Sequence, residues 1–431
     1  MARTSLLTRS PFAPSFWRSP VRGTRFTALL GVVLLGGITL LFVTGLLSYA
    51  AYNPNLAAVN DKTPDKGILG FYLFDWPTDP PWLYRLTQGI HVTLGVTLIP
   101  VLLAKLWSVV PKLFTLPPAR SLAHALERLS LLLLVGGALF EFTTGVLNIQ
   151  LDYVFPGSFY PLHFYGAWVF FAAFLTHAIL RTPTALRNLR RMRDSADGVG
   201  KPAEPGEVGG TGEPDELAAS APADPTVSRR GALGLVGGAS LLLFATSAGR
   251  SFDGPLRRTA LLAPHGGAEP GGGPGGFQIN KTAAYAGIST AETDAEAWRL
   301  VVTGRTGTVR LTRAALRDMP LHSSALPIAC VEGWSTSDQW WRGVRLRDLA
   351  ALVGYEDPPD VFVESLQRHG SFRHAALRAN QVADPRSLLA LDVNGEELTP
   401  DHGYPARVIV PAAPGVLNTK WVARLTFGGV K

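Results

Sequence analysis

The residues of this 431-residue chain that could do redox chemistry are few, and the first is a single cysteine. Cys330 follows the apolar run Leu326-Pro-Ile-Ala, and Gly333 comes soon after it. This pattern predicts a strand that delivers a thiol to a strand-end loop, where chemistry is often located. With no second cysteine, an internal disulfide is excluded. A lone cysteine is most often a small buried hydrophobic residue, which is the alternative interpretation.

The second candidate group is a set of histidines in or beside apolar segments. His91, His163 and His177 lie in segments long enough to cross a membrane, where a polar ring is costly and therefore indicates function. A bis-histidine haem needs two imidazoles at matching depth on facing helices. His91 with His163 fits an outer haem b, and His177 with His124 is the only pairing for an inner one. Interhelical hydrogen bonding is the alternative for all four.

Residues 327–334, Pro-Ile-Ala-Cys-Val-Glu-Gly-Trp, resemble the molybdenum-ligand segment of the sulfite oxidase family. The variant is the one found in the periplasmic methionine sulfoxide reductase catalytic subunit. The resemblance implies that Cys330 is a thiolate ligand of molybdenum, since a soft thiolate suits a metal that changes oxidation state. It also implies that Trp334 and Ser335 line the substrate side. The likeness continues, in order, through residues 388–390, 394–396, 402–411 and 420–421.

The family's cofactor is molybdopterin, and the resemblance implies which residues hold it. Clustered donors and positive charge suit the pterin phosphate. Asn280 could instead be a turn former, and Arg407 an ordinary charge at a strand edge. The residues implied are Asn280, His322, Arg407, Asn418, Thr419 and Lys420.

The chain departs from the sulfite oxidases at two points. Those enzymes carry Cys-Ala-Gly-Asn-Arg-Arg at the thiolate, whereas Gly333 and Trp334 replace the arginine pair here. Their C-terminal dimerisation domain is also not expected, which leaves the oligomeric state open. The sequence therefore favours a reductase-like enzyme acting on a small oxo acceptor or donor. A cluster of His369, Arg373 and His374 could bind an anionic substrate, although a solvated loop is favoured.

Composition points to a membrane protein. Hydrophobic residues make up 47% of the chain and charged residues 17%, which is more apolar than a purely soluble protein. The net charge of +7 lies in short runs beside apolar segments, where it indicates topology, and no nucleic-acid motif is present. The predicted spans are residues 26–50, 82–110, 122–149, 159–180 and 231–248.

The arginine-rich segments at 1–25, 181–193 and 229–230 predict a cytoplasmic N-terminus and an extracytoplasmic C-terminal domain. Arg229-Arg230 resembles a twin-arginine export signal, with ordinary positive-inside flanking as the alternative. Residues 194–228 are rich in Pro, Gly, Ala and acidic residues and predict a disordered linker. Residues 250–275 predict a flexible tether.

The predicted fold class is multi-domain. A transmembrane four-helix bundle (26–193) and a fifth anchoring helix (229–249) precede a mixed α+β, β-rich molybdopterin-binding domain (276–431). Strands are expected at 298–303, 308–311, 361–364, 407–410 and 421–426. The four spans resemble membrane cytochrome b domains that exchange electrons with quinone, although the first span has no histidine.

Three functions follow as hypotheses. The first is a membrane-anchored molybdenum oxidoreductase that exchanges electrons with the quinone pool through its own haem b. The second is a non-catalytic receptor or assembly protein that uses a pterin-domain scaffold. The third is a transmembrane haem electron carrier that reduces external ferric ions, with an auxiliary outer domain.

Overall fold

The computed structural model describes most of the chain except its arms and long connections. The predicted N-terminal arm and linker fall almost wholly outside the described residues, as do the middle of loop 51–81, residues 264–272 of the tether, and His369. The described residues are 19, 21–22, 24–56, 74–114, 121–149, 159–196, 224, 227–252, 254–263, 273–368 and 372–429.

Each predicted span coincides with a long helix. Among the described residues, five helices are long and apolar enough to cross a membrane. The fourth runs past the predicted end at residue 180, because its arginine-rich continuation also contains Leu, Ala and Met, which all favour helix. The helices are α1 (Thr24–Ala51), α2 (Leu83–Val109), α3 (Leu122–Asn148), α4 (Tyr160–Ala196) and α5 (Arg229–Ser247).

The chain divides into two compact units. The first comprises Met1–Phe42, Leu94–Thr143 and Tyr165–Phe244, and the second Val43–Thr93, Thr144–Phe164 and Ala245–Lys431. In the first unit, aromatic residues and a glycine lie at the helix contacts. Phe42 stacks on Phe171 with ring centroids 3.7 Å apart. A Cβ on Gly137 would lie 3.1 Å from Phe170, so glycine allows these helices to approach closely.

The second unit contains two five-stranded sheets. One has the order β2-β1-β10-β5-β6, and the other β3-β4-β7-β8 with β9 beside β7. The strands are β1 (Leu300–Gly304), β2 (Gly307–Leu311), β3 (His322–Leu326), β4 (Gln339–Arg345), β5 (Val361–Ser365), β6 (His374–Leu377), β7 (Leu388–Val393), β8 (Glu396–Glu397), β9 (Arg407–Ile409) and β10 (Val422–Phe427). The β-rich mixed domain predicted from the sequence is present.

Short helices complete this unit and connect the strands. Thr282 and Ser289 cap the first two through their hydroxyl oxygens, and Thr312 caps the third. The helices are α6 (Ala283–Ala286), α7 (Thr290–Thr293), α8 (Arg313–Arg317), α9 (Leu346–Leu352) and α10 (Ala379–Ala383).

All five predicted strands are present within two residues, but the strand expected to lead into Cys330 ends early. Strand β3 stops at Leu326, because the next residue is Pro327, which has no backbone N–H to donate to the ladder. Beyond it, Ala329 makes only isolated bridges to Ser335 and Pro414. Cys330 therefore lies in a loop well past the strand end.

The predicted tether contains regular structure in its first half. Two 3-10 turns cover Ala248–Ser251 and Gly254–Thr259. Arg250 and Arg257 are both buried, at 1% and 4% exposure. The tether prediction is therefore wrong for this half, which we call the exit segment (residues 248–259), because its side chains find partners that the local composition does not indicate.

Candidate functional site

The loop that carries Cys330 is closed by its own hydrogen bonds. We call residues 330–335 the thiolate loop. The backbone N–H of Cys330 donates to the carbonyl of Trp334 at 2.8 Å, and that of Gly333 donates back to the Cys330 carbonyl at 3.1 Å. The indole N–H of Trp334 donates to Glu332 Oε2 at 2.9 Å. These bonds fix the Cys330 side chain in one position.

Gly333 is the residue that this tight turn requires. Its φ is +86°, a left-handed conformation that side chains rarely adopt. A Cβ at this position would lie 2.7 Å from Cβ of Val92, on helix α2. The backbone at Gly333 and the helix therefore approach more closely than any other residue would allow.

Cys330 is protonated in the absence of a metal. The side chain is buried, with 4% exposure, and its Sγ lies 3.6 Å from Glu332 Oε2. Burial and the neighbouring Glu332 carboxylate raise the pKa of the Cys330 thiol well above its usual range. The backbone groups of Val331 and Glu332 act in the opposite direction. The thiolate therefore forms when a metal displaces the proton.

Segments from outside the β-rich domain hold the thiolate loop. From the exit segment, Ser251 Oγ donates to the Gly333 carbonyl at 3.1 Å and the Arg257 guanidinium donates to the Ser335 carbonyl. The Ser335 N–H donates to the Arg250 carbonyl at 3.2 Å. From helix α2, Gln88 donates to the Val331 carbonyl. The loop is therefore held by two segments from outside the domain, the exit segment and helix α2.

A second group of polar side chains forms what we call the cationic cluster: Arg407, Asn418, Thr419 and Lys420. Arg407 donates to the carbonyls of His402 and Asn418 at 3.0 and 3.2 Å. Lys420 Nζ donates to the carbonyls of Asp401, at 2.9 Å, and Lys281. Burial lowers the pKa of Arg407, and burial with Arg407 and Lys281 lowers that of Lys420 well below its usual range. A buried and a half-buried basic side chain thus lie close together.

The cluster contains donors that the protein does not satisfy. Arg407 Nε, Asn418 Nδ2 and Thr419 Oγ1 are buried, and none has a hydrogen-bond partner among the described residues. Orphaned buried donors are rare and need an explanation. A phosphate, with several strong acceptor oxygens and negative charge, would supply partners to all three and relieve the repulsion between the cations. These residues therefore fit a pterin phosphate.

The turn before Arg407 brings the cluster together. Gly403 has a φ of +109°, and a Cβ there would lie 3.1 Å from Cβ of both Arg407 and Lys420. His402, which precedes it, is 2% exposed and stacks on Phe277 with ring centroids 3.8 Å apart. Its Nε2 lies 2.8 Å from the Gly275 carbonyl. Burial lowers the pKa of His402 to about 4.

The other predicted site residues have different environments. Asn280 is half-buried and precedes Lys281, whose carbonyl accepts from Lys420. Trp334 packs into the core with 2% exposure, so it supports the loop through Glu332. The described ion pair of His322 is with Asp348, at 3.7 Å. His322 thus begins strand β3 with a partner outside both the thiolate loop and the cationic cluster.

His91 and His163 face each other in the second unit. Their ring centroids are 6.2 Å apart and the rings are nearly perpendicular, at 85°. Nδ1 of His91 lies 3.0 Å from Thr44 Oγ1, and Nδ1 of His163 lies 3.0 Å from Thr144 Oγ1. In each case the threonine is on the preceding helix of the chain. The two imidazoles are thus held in matching ways.

The other two predicted histidines do not form a described pair. His177 is half-buried on helix α4 and belongs to the first unit. The His124 side chain lies outside the described part of the chain. The pairing of His177 with His124 stays a prediction.

Comparison with known proteins identifies the C-terminal part of the chain. Residues 287–429 match the family model described as oxidoreductase molybdopterin binding domain. The uncharacterized oxidoreductase YuiH of Bacillus subtilis is 30% identical over 135 residues, which covers 31% of this chain and 67% of YuiH. Mitochondrial sulfite oxidase of Rattus norvegicus is 31% identical over 160 residues, which covers 31% of this chain but only 29% of the rat protein.

Among solved structures, the sulfane dehydrogenase SoxCD from Paracoccus pantotrophus has 24% identity to this chain. The match covers 32% of this chain and 39% of that one, with a TM-score of 0.29.

The fold and the site together define an oxidoreductase domain that carries one buried cysteine and a cluster of buried donors with no partner among the described residues. With these comparisons, the chain belongs to the sulfite oxidase-like molybdopterin oxidoreductases. The C-terminal domain is that of a molybdenum-dependent enzyme. Among the described residues, no three His, Cys, Asp or Glu side chains come together as a metal site. A metal at Cys330 would therefore take its other ligands from the pterin and from non-protein groups, as a dithiolene cofactor provides.

Sequence reasoning missed the residues that hold the thiolate loop from outside. Arg250, Arg257 and Gln88 belong to segments whose composition indicated only a tether and a span. Arg250 offered one signal, since it is the first charged residue after the long uncharged run that begins at Gly231. A charged residue is also expected at the end of a membrane span, so the sequence alone does not indicate a partner for Arg250.

Proposed function

We propose that this protein is a membrane-anchored molybdenum oxidoreductase that exchanges electrons with quinone through a b-type haem held by His91 and His163. The observation that carries the proposal is the contact between Val92 and Gly333. Val92 follows His91 directly in helix α2, and Gly333 is three residues from Cys330. Through the Val92 side chain, the helix that carries the proposed haem ligand His91 touches the loop that carries the proposed molybdenum ligand Cys330.

The spacing of the two histidines suits a shared iron. A metal–imidazole bond of about 2 Å on each side, with about 1 Å from nitrogen to ring centre, gives about 6 Å between ring centres. The His91 and His163 centroids are 6.2 Å apart. Ligating histidines commonly donate their other ring N–H to an oxygen, which fixes the ring. Thr44 and Thr144 are placed to accept such bonds from Nδ1.

Glycines make room beside both rings. A Cβ on Gly45 would lie 3.2 Å from His91 Cε1, and one on Gly145 would lie 3.3 Å from His163 Cε1. Each glycine directly follows the threonine that contacts the same ring. The Thr-Gly pair thus occurs twice, once for each histidine, which supports a common purpose for the two sites.

The protein's part in the chemistry is positioning and electrostatics. When bound, the molybdenum cofactor supplies two-electron oxygen-atom transfer, and the haem supplies one-electron transfer. Cys330 provides the protein thiolate, and the backbone at Val331 and Glu332 stabilises its negative charge. Arg407, Asn418, Thr419 and Lys420 hold the pterin phosphate. The buried loop excludes water, since Cys330, Trp334 and Ser335 are each at most 4% exposed.

The membrane arrangement belongs to the same proposal. The five apolar helices cross the bilayer, the N-terminus is cytoplasmic, and residues from 250 onward are extracytoplasmic by the positive-inside rule. Lipid and quinol are then the partners of the helices, and a small oxo compound is the substrate of the outer domain. If Arg229-Arg230 is an export signal, changing both to Lys should leave residues 250–431 protected from protease in spheroplasts.

Metal analysis with optical spectroscopy tests the proposal. Purified full-length protein should contain close to one molybdenum and at least one low-spin haem b. His91→Ala and His163→Ala should each remove the same haem signal, while Thr39→Ala, on the exposed face of helix α1, should leave it unchanged. Wild-type spectra in both histidine variants would reject the haem assignment. Absence of molybdenum from well-folded, matured protein would instead favour a non-catalytic binding module.

A further inference from the structure

The exit segment distributes its side chains in the reverse of the pattern expected at a surface that faces water. The charged residues Arg250 and Arg257 are buried, although arginine is mostly exposed in soluble proteins. Large apolar residues are exposed instead. We call them the apolar edge, and each is 39–75% exposed: Phe252, Leu256, Leu261 and Leu262. The pattern indicates surroundings that are less polar than water, because apolar surface is unfavourable in water.

The buried side of the exit segment is bonded to the thiolate loop. The Arg250 carbonyl accepts from the Ser335 N–H at 3.2 Å, and the Arg257 guanidinium donates to the Ser335 carbonyl. Ser251 Oγ donates to the Gly333 carbonyl at 3.1 Å. The polar groups of the segment are thus used on the protein side, and the opposite side presents the apolar edge.

The chain turns back after the exit segment and returns to the end of helix α5. The backbone N–H of Leu262 donates to the carbonyl of Thr246 at 2.9 Å. Thr246 lies in the last turn of α5, inside the stretch Arg229–Ser251 that is long and apolar enough to cross a membrane. Leu262 and its neighbour Leu261 are therefore level with the end of this helix and do not extend beyond it.

Helix α2 gives the same depth independently. The Arg85 guanidinium donates to the Ser251 carbonyl at 2.8 Å, and the Arg250 guanidinium donates to Thr93 Oγ1 at 3.4 Å. Helix α2 begins at Leu83 and is also long and apolar enough to cross a membrane. At 1.5 Å per residue, its contacts with the exit segment lie within about 15 Å of the helix start. Two candidate spans thus place the exit segment beside their ends.

Lipid accounts for both sides of the exit segment. Amphipathic segments at a membrane surface bury their apolar side chains at the boundary between headgroups and acyl chains. A charge that faces hydrocarbon is costly, which explains why Arg250 and Arg257 face the protein. Arg258 is exposed, and its charge complements the phosphates of lipid headgroups. The outer leaflet of the bilayer is therefore the partner that fits the apolar edge.

We propose that the exit segment and the apolar edge form a membrane-interface anchor. The four apolar side chains insert into the outer leaflet, and the buried side of the segment holds the thiolate loop at the membrane surface. The anchor rests on the membrane arrangement proposed above and adds a lipid contact beyond the fifth helix. This contact lies outside residues 287–429, the part of the chain that matches the family domain.

Fluorescence quenching in lipid nanodiscs tests the anchor. Full-length Leu261→Cys protein is labelled with bimane, and the wild type is treated in parallel to show that buried Cys330 takes up no label. Brominated phosphatidylcholine quenches the label from within the bilayer, and iodide quenches it from water. The label at position 261 should lose most of its fluorescence to the brominated lipid and little to iodide. Leu352→Cys, an exposed leucine at the end of helix α9, is the matched control and should show the reverse.

A third label separates the anchor from the membrane arrangement on which it rests. Leu241→Cys reports on the exposed face of helix α5. Lipid quenching at Leu241 with iodide quenching at Leu261 would overturn the anchor and keep the membrane span. Iodide quenching at both positions would reject the span as well.

Two further outcomes would also overturn the anchor. Shielding of the Leu261 label from both quenchers would indicate that a second copy of the chain covers the apolar edge. Equal lipid quenching at Leu352 would show that the membrane contact is not specific to the exit segment. If Leu261→Cys does not fold, Leu256→Cys is labelled in its place and decides by the same comparison.

Discussion

The thiolate loop and the cationic cluster, which we propose to hold the metal and the pterin phosphate, are themselves held by different parts of the chain. Arg407 and Lys420 bond to carbonyls of residues 281, 401, 402 and 418, all within the β-rich domain. The thiolate loop instead receives bonds from Gln88, Ser251 and Arg257 and a close contact from Val92. The cationic cluster, which we call the phosphate end of the proposed site, is thus built by the domain alone. The thiolate loop, which we call the metal end, is built jointly with helix α2 and the exit segment.

This difference bears on what the family shares. The match to the molybdopterin-binding family begins at residue 287, so it includes the cationic cluster but none of the outside contacts to the loop. The proposed phosphate-binding cluster therefore lies within the part of the chain that the family model matches. The contacts that position the thiolate loop from helix α2 and the exit segment lie outside it.

Replacement of the thiolate has the largest expected effect on the metal end. Cys330→Ser should lower oxygen-atom transfer by about 10²-fold or more, because a serine oxygen is a harder and poorer donor to this metal. Activity per molybdenum is the measurement. Pterin content should stay near the wild-type value, because the cationic cluster is independent of the loop. If Cys330→Ser lost pterin and activity together, the cationic cluster would not be independent of the thiolate loop.

At the phosphate end, removal of a cation should instead lower the pterin content of the protein. Lys420→Gln should weaken cofactor retention by about 10- to 100-fold, since a charge-assisted bond to phosphate is lost. Pterin content after gel filtration measures it. Arg424→Gln, which removes an exposed charge from the adjacent strand β10, is the matched control and should retain cofactor. Full retention in Lys420→Gln would contradict the phosphate assignment.

The contact between Val92 and Gly333 can be used to test whether helix α2 supports the thiolate loop. Gly333→Ala should cost about 1–3 kcal/mol, because alanine is strained at a φ of +86° and its Cβ meets Val92. Val92→Gly in the same chain should recover the part due to the clash, because it removes the Val92 Cβ that would lie 2.7 Å away, and a double-mutant cycle on thermal stability gives the coupling. Zero coupling would show that the loop does not depend on helix α2.

The sequence predicted most of the fold, and it singled out the residues that the structure brings together as the cationic cluster. Hydrophobic length located the five helices, and β-rich runs located strands such as β5 and β10, because these signals are local. Arg407, Asn418, Thr419 and Lys420 were identified through a motif that lies within 14 residues. Arg250 and Val92 could not be assigned to the site, because their partners are about 80 to 240 residues away in the chain and no local pattern records such contacts.

The smallest expected effect is a pH dependence of stability that comes from His402, at the phosphate end. The pKa of His402 is lowered by burial to about 4 from an ordinary value of 6.5. As pH falls, the His402 imidazole takes up a proton in the unfolded state before it does so in the folded state. The stability that neutral His402 contributes is therefore complete above pH 6.5 and is lost progressively toward pH 4. Between pH 7.5 and 5.5 the folded domain should lose about 1 kcal/mol. Thermal unfolding of the full-length protein at both pH values measures the loss.

His402→Gln should remove most of that pH dependence while it keeps a donor for the Gly275 carbonyl. The carboxyl groups of Glu292, Asp384 and Glu397 do not obscure this window, since their pKa values are lowered and they titrate in more acidic solution. Val92→Ala, a change at the metal end, should leave the pH dependence as it is in the wild type. A pH dependence that persists in His402→Gln, or that disappears in Val92→Ala, would mean that the two ends of the site are not separately supported.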